Sequence, residues 1–369
     1  MSTTEARGGA LPLPFSKDLW QSLQTQTRDI LLYGMGNGAD KLLAVCEKKG
    51  IRVSGIFASD GFVRGHSFHG MRVMSYSEVQ SIYPKDGCVI LLAFGSSRPE
   101  VMALFDTVAA RYPLFVPDLP VCGDNLFDAE FFAKNREKFE AARALFANDD
   151  SRALFDLVLQ CKYEGAHALF SKAVSKKTPW ELLEGRTVSA MMDLGAYNGD
   201  SAREAMSLHP ELNFILAAEP DRRNFRKLSD WAANGTGNCK IECHQVAVCD
   251  TCGEAAFDSS GNRNAGLCTG RADAVVTTAT PDALLNGRHV DYVKYDVEGA
   301  ERAALCGTAE TIKQHRPALR VACYHRSEDL FDLPLLLATL CENYDFHLAR
   351  TKGFPAWDLD LIAIPNKKD

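Results

Sequence analysis

Basic charge is what this chain is short of: 41 Lys and Arg stand against 48 Asp and Glu, leaving a net charge of −7. A protein that grips nucleic acid through its phosphates presents a basic surface, so this balance argues against such a partner. Long apolar runs are missing too. The longest, Cys88 to Phe94, is far below the ~20 residues that a membrane-spanning helix needs, so no membrane insertion is expected. Met1 to Phe15 has no apolar core of a signal peptide. The 12 cysteines lack the regular spacing of a disulfide framework and read as reduced thiols of a cytoplasmic protein. Cys239, Cys243, Cys249 and Cys252 invite a zinc reading, but their spacing departs from paired Cys-x2-Cys knuckles, so free thiols are expected. A complete Gly-x-Gly-x-x-Gly fingerprint is absent as well.

What is present is alternation. With 369 residues the chain exceeds what one core normally serves, which points to two domains. Over roughly 28–120, short apolar strands (30–33, 51–57, 89–94, 114–116) alternate with helices (39–49, 100–111), the pattern of a small parallel nucleotide-binding sheet. Residues 1–27 read as a flexible segment with a short helix near 17–23, and 121–185 as a helical connector. Its helices are expected over 128–147, 152–161 and 166–174, with packing roles for Tyr163 and His167. From 186 a second doubly wound unit follows, with strands expected over 188–193, 214–218, 241–248, 290–295, 319–323, 346–348 and 359–364. The fold class expected is thus α/β, two Rossmann-like domains joined by a helical connector.

Two strand-to-helix turns carry glycines. Gly34-Met-Gly36-Asn-Gly38, with Asp60 some twenty residues on, superficially fits a dinucleotide loop, but its third glycine comes one residue too early. An alternative is that this helix N-terminus holds a nucleotide-sugar phosphate. The second turn is Asp193-Leu-Gly195-Ala196-Tyr197-Asn-Gly199-Asp200-Ser201, where Asp200 or Ser201 can cap the next helix. Asp193, Glu219 and Asp296 then fall at the carboxyl ends of successive strands, which face one crevice in a doubly wound sheet. A carboxylate at Glu219 can accept both hydroxyls of a ribose. Since no pyrophosphate cradle follows Gly195, a ligand with a ribose and no phosphate suits the turn, and S-adenosylmethionine is such a ligand.

Asp193-Leu-Gly-Ala-Tyr-Asn-Gly-Asp200, Glu219-Pro220 and Val293-Lys294-Tyr-Asp296-Val-Glu298-Gly299-Ala300-Glu301 resemble FkbM-type methyltransferases, as do Arg316-Pro317, Tyr324-His325 and Ala363-Ile364-Pro365. The resemblance covers roughly 150–365. It implies a Class I methyltransferase sheet of seven strands, the last inserted antiparallel, and transfer of a methyl group to a hydroxyl of a sugar, polysaccharide or secondary metabolite. S-adenosylmethionine is the cofactor implied.

Taken with that resemblance, Asp193, Gly195, Ala196, Tyr197, Gly199 and Asp200 hold the methionine part, Glu219 and Pro220 the ribose, and Gln245 and Val246 flank the adenine, with Asp250 an outside candidate. Asp296 and His325 are the expected proton acceptors, since an attacking alcohol gains from proton removal and histidine titrates near neutrality. Lys294 shares a strand face with Asp296 and can pair with it. Glu298 is the more functional of the two acids opening the next helix. No metal is expected, although Asp296, Glu298 and His325 form a hard-ligand set. The loop 258–273, with Asn262, Arg263 and Asn264, is expected to cover the cleft. The partner expected is a small-molecule or glycan acceptor, with homo-oligomers through the N-terminal domain and a non-catalytic binding protein as the alternative class.

Overall fold

The computed structural model describes residues 15, 17–63, 65, 67–234, 237–258, 266–267 and 274–366. The loop 258–273 expected to cover the cleft and the first part of the 1–27 segment lie largely outside these residues. The short helix expected near 17–23 is present as Leu19–Gln24, capped by Asp18 and burying Leu19, Trp20 and Leu23. That apolar face could not stay in water cheaply.

The first sheet comprises β1 (Asp29–Tyr33), β2 (Gly55–Ala58), β3 (Ser67–Phe68), β4 (Met71–Ser75), β5 (Cys88–Leu92) and β6 (Leu114–Phe115) in the order β3-β4-β2-β1-β5-β6. β1 and β5 pair in parallel over their whole length and are almost wholly buried, as fits strands covered on both faces. Two elements were not foreseen: the β3-β4 hairpin and the helix Tyr76–Ile82, which opens with a capping box between Ser75 and Glu78.

The main sheet is β7 (Ala190–Leu194), β8 (Phe214–Ala218), β9 (Lys240–His244), β14 (Tyr292–Tyr295), β15 (Ala318–Ala322), β16 (Tyr344–Arg350) and β17 (Leu359–Pro365), ordered β16-β17-β15-β14-β7-β8-β9. β17 runs antiparallel between β15 and β16, so the expected seven-stranded sheet with an inserted antiparallel strand is present. The strand expected over 241–248 is divided. It leaves the main sheet after His244, and β10 (Ala247–Val248) joins β11 (Gly253–Asp258), β12 (Gly266–Leu267) and β13 (Ala274–Ala279) in a separate four-stranded sheet. Strand order reverses between β7 and β14, and at such a switch point the connections diverge and leave a crevice at the carboxyl ends.

The intervening helices lock onto the main sheet. Ala129–Ala144 and Asp149–Glu164 are the long ones, whereas the helix expected over 166–174 shrinks to His167–Phe170. Phe139 meets Phe331 of the helix Asp329–Leu340 edge-on at 5.0 Å. One continuous apolar cluster runs from Leu31 and Tyr33 of the first sheet through Phe139 and Phe155 to Val293 and Leu361 of the main one. Tyr163 packs on Phe132 and His167 stacks on Phe354, the packing roles expected of them.

Candidate active site

At the switch point a cavity of about 420 Å³ opens. Gly195, Tyr197, Glu219, Lys294, Asp296 and Glu298 all reach it. The register explains the convergence. Lys294 pairs with Asp193 across β14 and β7, and Arg320 of β15 pairs with Lys294. Residues paired this way share one face of the sheet, so opposite charges meet across neighbouring strands.

Lys294 is the hub. Its Nζ donates to the Gly195 carbonyl at 3.2 Å and stands 3.4 Å from Asp193 and 3.6 Å from Asp296. Burial alone would lower its pKa, but the two carboxylates outweigh that and hold it above its ordinary value. Lys294 is therefore a fixed cation. Asp193 is fully buried behind it, and burial raises its pKa. Asp193 does not line the cavity, so its direct contact with a ligand, expected from the sequence, is replaced by a role in fixing Lys294.

The two glycines of this turn are required by the chain itself. Gly195 has φ +81°, and a Cβ there would overlap the Asp296 carbonyl oxygen where the two strand-end loops cross. Gly199, at φ +84°, faces the Trp231 ring. Gly199 also occupies the N-cap position, so neither Asp200 nor Ser201 caps the helix Asp200–Leu208. Ala196 is buried, while Tyr197 and Asp200 line the cavity. Tyr197 is held at φ +48°, a costly backbone for a residue with a side chain.

The strain at Tyr197 has a purpose visible in its amide. Its N–H donates to Glu219 Oε2 at 2.8 Å, and the Asp221 N–H donates to Oε1 at 2.9 Å. Each carboxylate oxygen keeps a second lone pair for another donor. Glu219 is 7% exposed, and burial pushes its pKa up to about 7 against the pull of those two amides. Pro220, Val246, Ala247, Val248 and Phe257 supply an apolar surface beside it. Gln245, expected to flank the adenine, is exposed and not part of the wall, because the chain turns between β9 and β10.

On the other side Asp296 and Glu298 face the cavity and His325 lies behind them. His325 is 1% exposed. Its Nδ1 is 2.9 Å from Glu301, and its Nε2 is 3.5 Å from Asp296 and 3.4 Å from Glu298. Burial would lower its pKa, but Glu301, Asp296 and Glu298 push it up to about 10. His325 is therefore an imidazolium at neutral pH, which corrects its expected role as a proton acceptor there. Burial raises Asp296 as well, yet Lys294 and His325 outweigh it and hold that carboxyl below its ordinary value. Glu298 is pushed by burial up to about 7, with His325 opposing. Glu298 sits at φ +53° and its carbonyl accepts from the Cys122 thiol at 3.0 Å, so the connector segment pins the strained turn from outside.

Asp296, Glu301 and His325 offer one ligand atom each within 4.8 Å of one another. The imidazolium supplies this pocket of carboxylates with its cation. Cys243, Cys249 and Cys252 are free thiols.

The first glycine loop packs against protein at two of its three glycines, Gly34 and Gly38. The Phe94 ring fills the space over Gly34, the Ala93 carbonyl lies against Gly38, and both Asp60 oxygens accept from Ser77, at 3.0 Å from its N–H and 2.6 Å from its hydroxyl. The dinucleotide-like arrangement is thus satisfied by protein atoms.

Apart from Tyr324, part of the Tyr324-His325 pair noted in the sequence, the far wall was not expected. Gly95, Ser96 and Ser97 come from the first sheet, Tyr324 from the end of β15, and Trp357 and Asp358 from the β16–β17 connection.

Residues 193–348 match the family model described as the methyltransferase FkbM domain. A solved FkbM methyltransferase from Methylobacillus flagellatus is 17% identical, with a TM-score of 0.70, covering 93% of this chain and 92% of that one. At that identity the likeness establishes the fold, and it spans both sheets. A precorrin-6y C5,15-methyltransferase from Geobacter metallireducens is 13% identical over 55% of this chain and 89% of that one, with a TM-score of 0.34. No curated protein matches the chain.

Proposed function

We propose that this chain, whose main sheet carries an FkbM-family methyltransferase domain, is an S-adenosylmethionine-dependent O-methyltransferase acting on a sugar hydroxyl. The observation that carries the cofactor reading is Glu219: a buried carboxylate at the switch point, oriented by two backbone amides, with lone pairs left over for a ribose. The apolar surface from Pro220 to Phe257 suits a purine ring. Lys294 and Arg320, the two cations among the described lining residues, are committed to carboxylates, so this donor set fits a ligand without phosphate. Asp200, Glu219, Asp296 and Glu298 favour the positive charge of a sulfonium. When bound, the cofactor supplies an electrophilic methyl group. The protein's part is to orient and to accept a proton.

Glu298, with its pKa near 7, is matched to accept the proton of an attacking hydroxyl at neutral pH. Asp296 stays ionised and orients that hydroxyl. Lys294 keeps the Gly195 and Asp296 loops in register, and His325 fixes both carboxylates from behind as a positioning residue. In such a displacement much of the rate comes from alignment, which a buried, fully paired support provides. The 28–120, 121–185 and 186–369 segments serve as acceptor wall, brace and catalytic domain in this reading.

Thermal unfolding with added ligands tests it. A ligand at 100 times its Kd stabilises by about 2.7 kcal/mol. S-adenosylmethionine is expected to raise the transition, NADH and UDP-glucose to leave it unchanged. No rise with S-adenosylmethionine, or an equal rise with NADH, contradicts the reading.

A further inference from the structure

The cavity lies between the two sheets, and the structure shows why they stay together there. Ser96, in the loop after β5, and Phe354, in the β16–β17 connection, exchange two backbone hydrogen bonds of 2.8 and 3.0 Å. Gly95 sits against the Trp357 ring and the Phe354 carbonyl so closely that a Cβ would come within 2.7 and 2.9 Å of them. The first sheet therefore supplies a section of cavity wall, Gly95 to Ser97, and holds the Trp357 segment in place.

The chemistry of this half of the cavity is specific. Trp357 and Tyr324 present aromatic surface, and the buried Trp357 Nε1 has no hydrogen-bond partner among the described residues. A buried indole N–H ordinarily finds an acceptor. Ser96 and Ser97 add small hydroxyls, and Asp296, Glu298 and Asp358 add carboxylates. Among the described lining residues, positive charge is committed elsewhere: Arg320 is 2.8 Å from Asp360, and Lys294 lies between Asp193 and Asp296. A phosphate is held by cationic side chains or by converging backbone amides, and carboxylates repel it. Aromatic faces beside carboxylates, serine hydroxyls and an unpartnered indole donor suit a ring bearing many hydroxyls and no charge.

We propose that the acceptor is an uncharged sugar, as the free or glycosidically linked ring rather than a nucleotide-sugar or sugar phosphate. It is held between Ser96–Ser97 of the first sheet and Tyr324, Trp357 and Asp358 of the second. The first sheet is then the acceptor-selecting element and its own glycine loop a structural turn. This rests on the methyltransferase reading above and adds the class of acceptor and the residues that choose it.

The test begins with calorimetric binding of S-adenosylmethionine to the full chain. Failure there removes the methyltransferase reading itself. With binding shown, release of S-adenosylhomocysteine is measured with two panels: methyl hexopyranosides and unphosphorylated oligosaccharides, and the matching UDP-sugars, GDP-sugars and hexose phosphates. Turnover confined to the uncharged panel is expected. Equal or higher kcat/KM with the phosphorylated panel, or no turnover with either while the cofactor binds, overturns the proposal. With the best uncharged acceptor, Trp357→Ala and Ser97→Trp are expected to raise KM at least tenfold while the Kd for S-adenosylmethionine stays within twofold. An unchanged KM in both variants overturns the assignment of this wall.

Discussion

The molecule contains the same local device twice, a buried parallel strand running into a glycine-bearing turn and a helix, and the two copies have opposite fates. After β1 the turn is filled by Phe94 and Ala93, and the acid at the end of the neighbouring strand, Asp60, is exposed and fully engaged with Ser77. After β7 the turn borders a cavity, and the corresponding acid, Glu219, is buried and held by backbone amides with bonding capacity to spare. Glycines mark where chain approaches chain in both. What separates a binding site from a scaffold is the environment of the carboxylate beside them.

Substitutions of paired positions sharpen that contrast. The largest effect is expected at Gly195→Ala. There a positive φ and the Asp296 carbonyl oppose a Cβ together, and a loss of several kcal/mol or failure to fold follows. Gly36→Ala, at φ +102° with open space around it, carries backbone strain alone and is expected to cost about 1–3 kcal/mol. Urea unfolding of the two variants compares them, and equal losses would break the distinction.

Next is His325→Ala, which leaves Asp296, Glu298 and Glu301 without their shared cation. Removing one member of a buried charge cluster costs about 3–5 kcal/mol. His69→Ala removes a partner of Asp40 that is half exposed, and the change is expected to stay below about 1 kcal/mol. Because burial against three carboxylates raises His325 to about 10 from an unfolded value of about 6.5, its contribution is complete below that lower value. It is lost as pH rises through about 10. Unfolding curves of wild type and His325→Ala at pH 7 and pH 10.5 should therefore converge at the higher pH.

A third expectation concerns proton linkage. Glu219 must be ionised to accept two hydroxyls, and it titrates near 7. Affinity for S-adenosylmethionine should weaken as pH falls below about 7, approaching tenfold per pH unit. Calorimetry in buffers of different ionisation enthalpy should register proton release at pH 6.5. Asp60, whose carboxyl the Ser77 hydrogen bond holds below its ordinary value, contributes nothing in that range.

Much of the main sheet was legible because its strands are buried on both faces and end in acids or glycines. Glu219 and the Lys294–Asp296 pairing were readable for the same reason: strand ends and strand alternation fix which residues share a face. The departure of the chain after His244 was not. Apolar residues resume at Val246 and run to Val248, and only the tertiary partner decides that Ala247–Val248 pairs with β13. His325 was placed at the right strand end, but its burial against Glu301 depends on the fold of the 297–301 turn, where the Glu301 carboxylate accepts the Val297 and Gly299 amides. The wall from Gly95 to Ser97 had no sequence signal, because it meets Phe354 across more than 250 residues.

The most direct test sets the two carboxylates against each other by calorimetry with S-adenosylmethionine on wild type, Glu219→Ala and Asp60→Ala. Wild type and Asp60→Ala are expected to bind with the same affinity, and Glu219→Ala to lose at least a hundredfold. Undiminished binding by Glu219→Ala, or a loss in Asp60→Ala as large as in Glu219→Ala, would contradict the account.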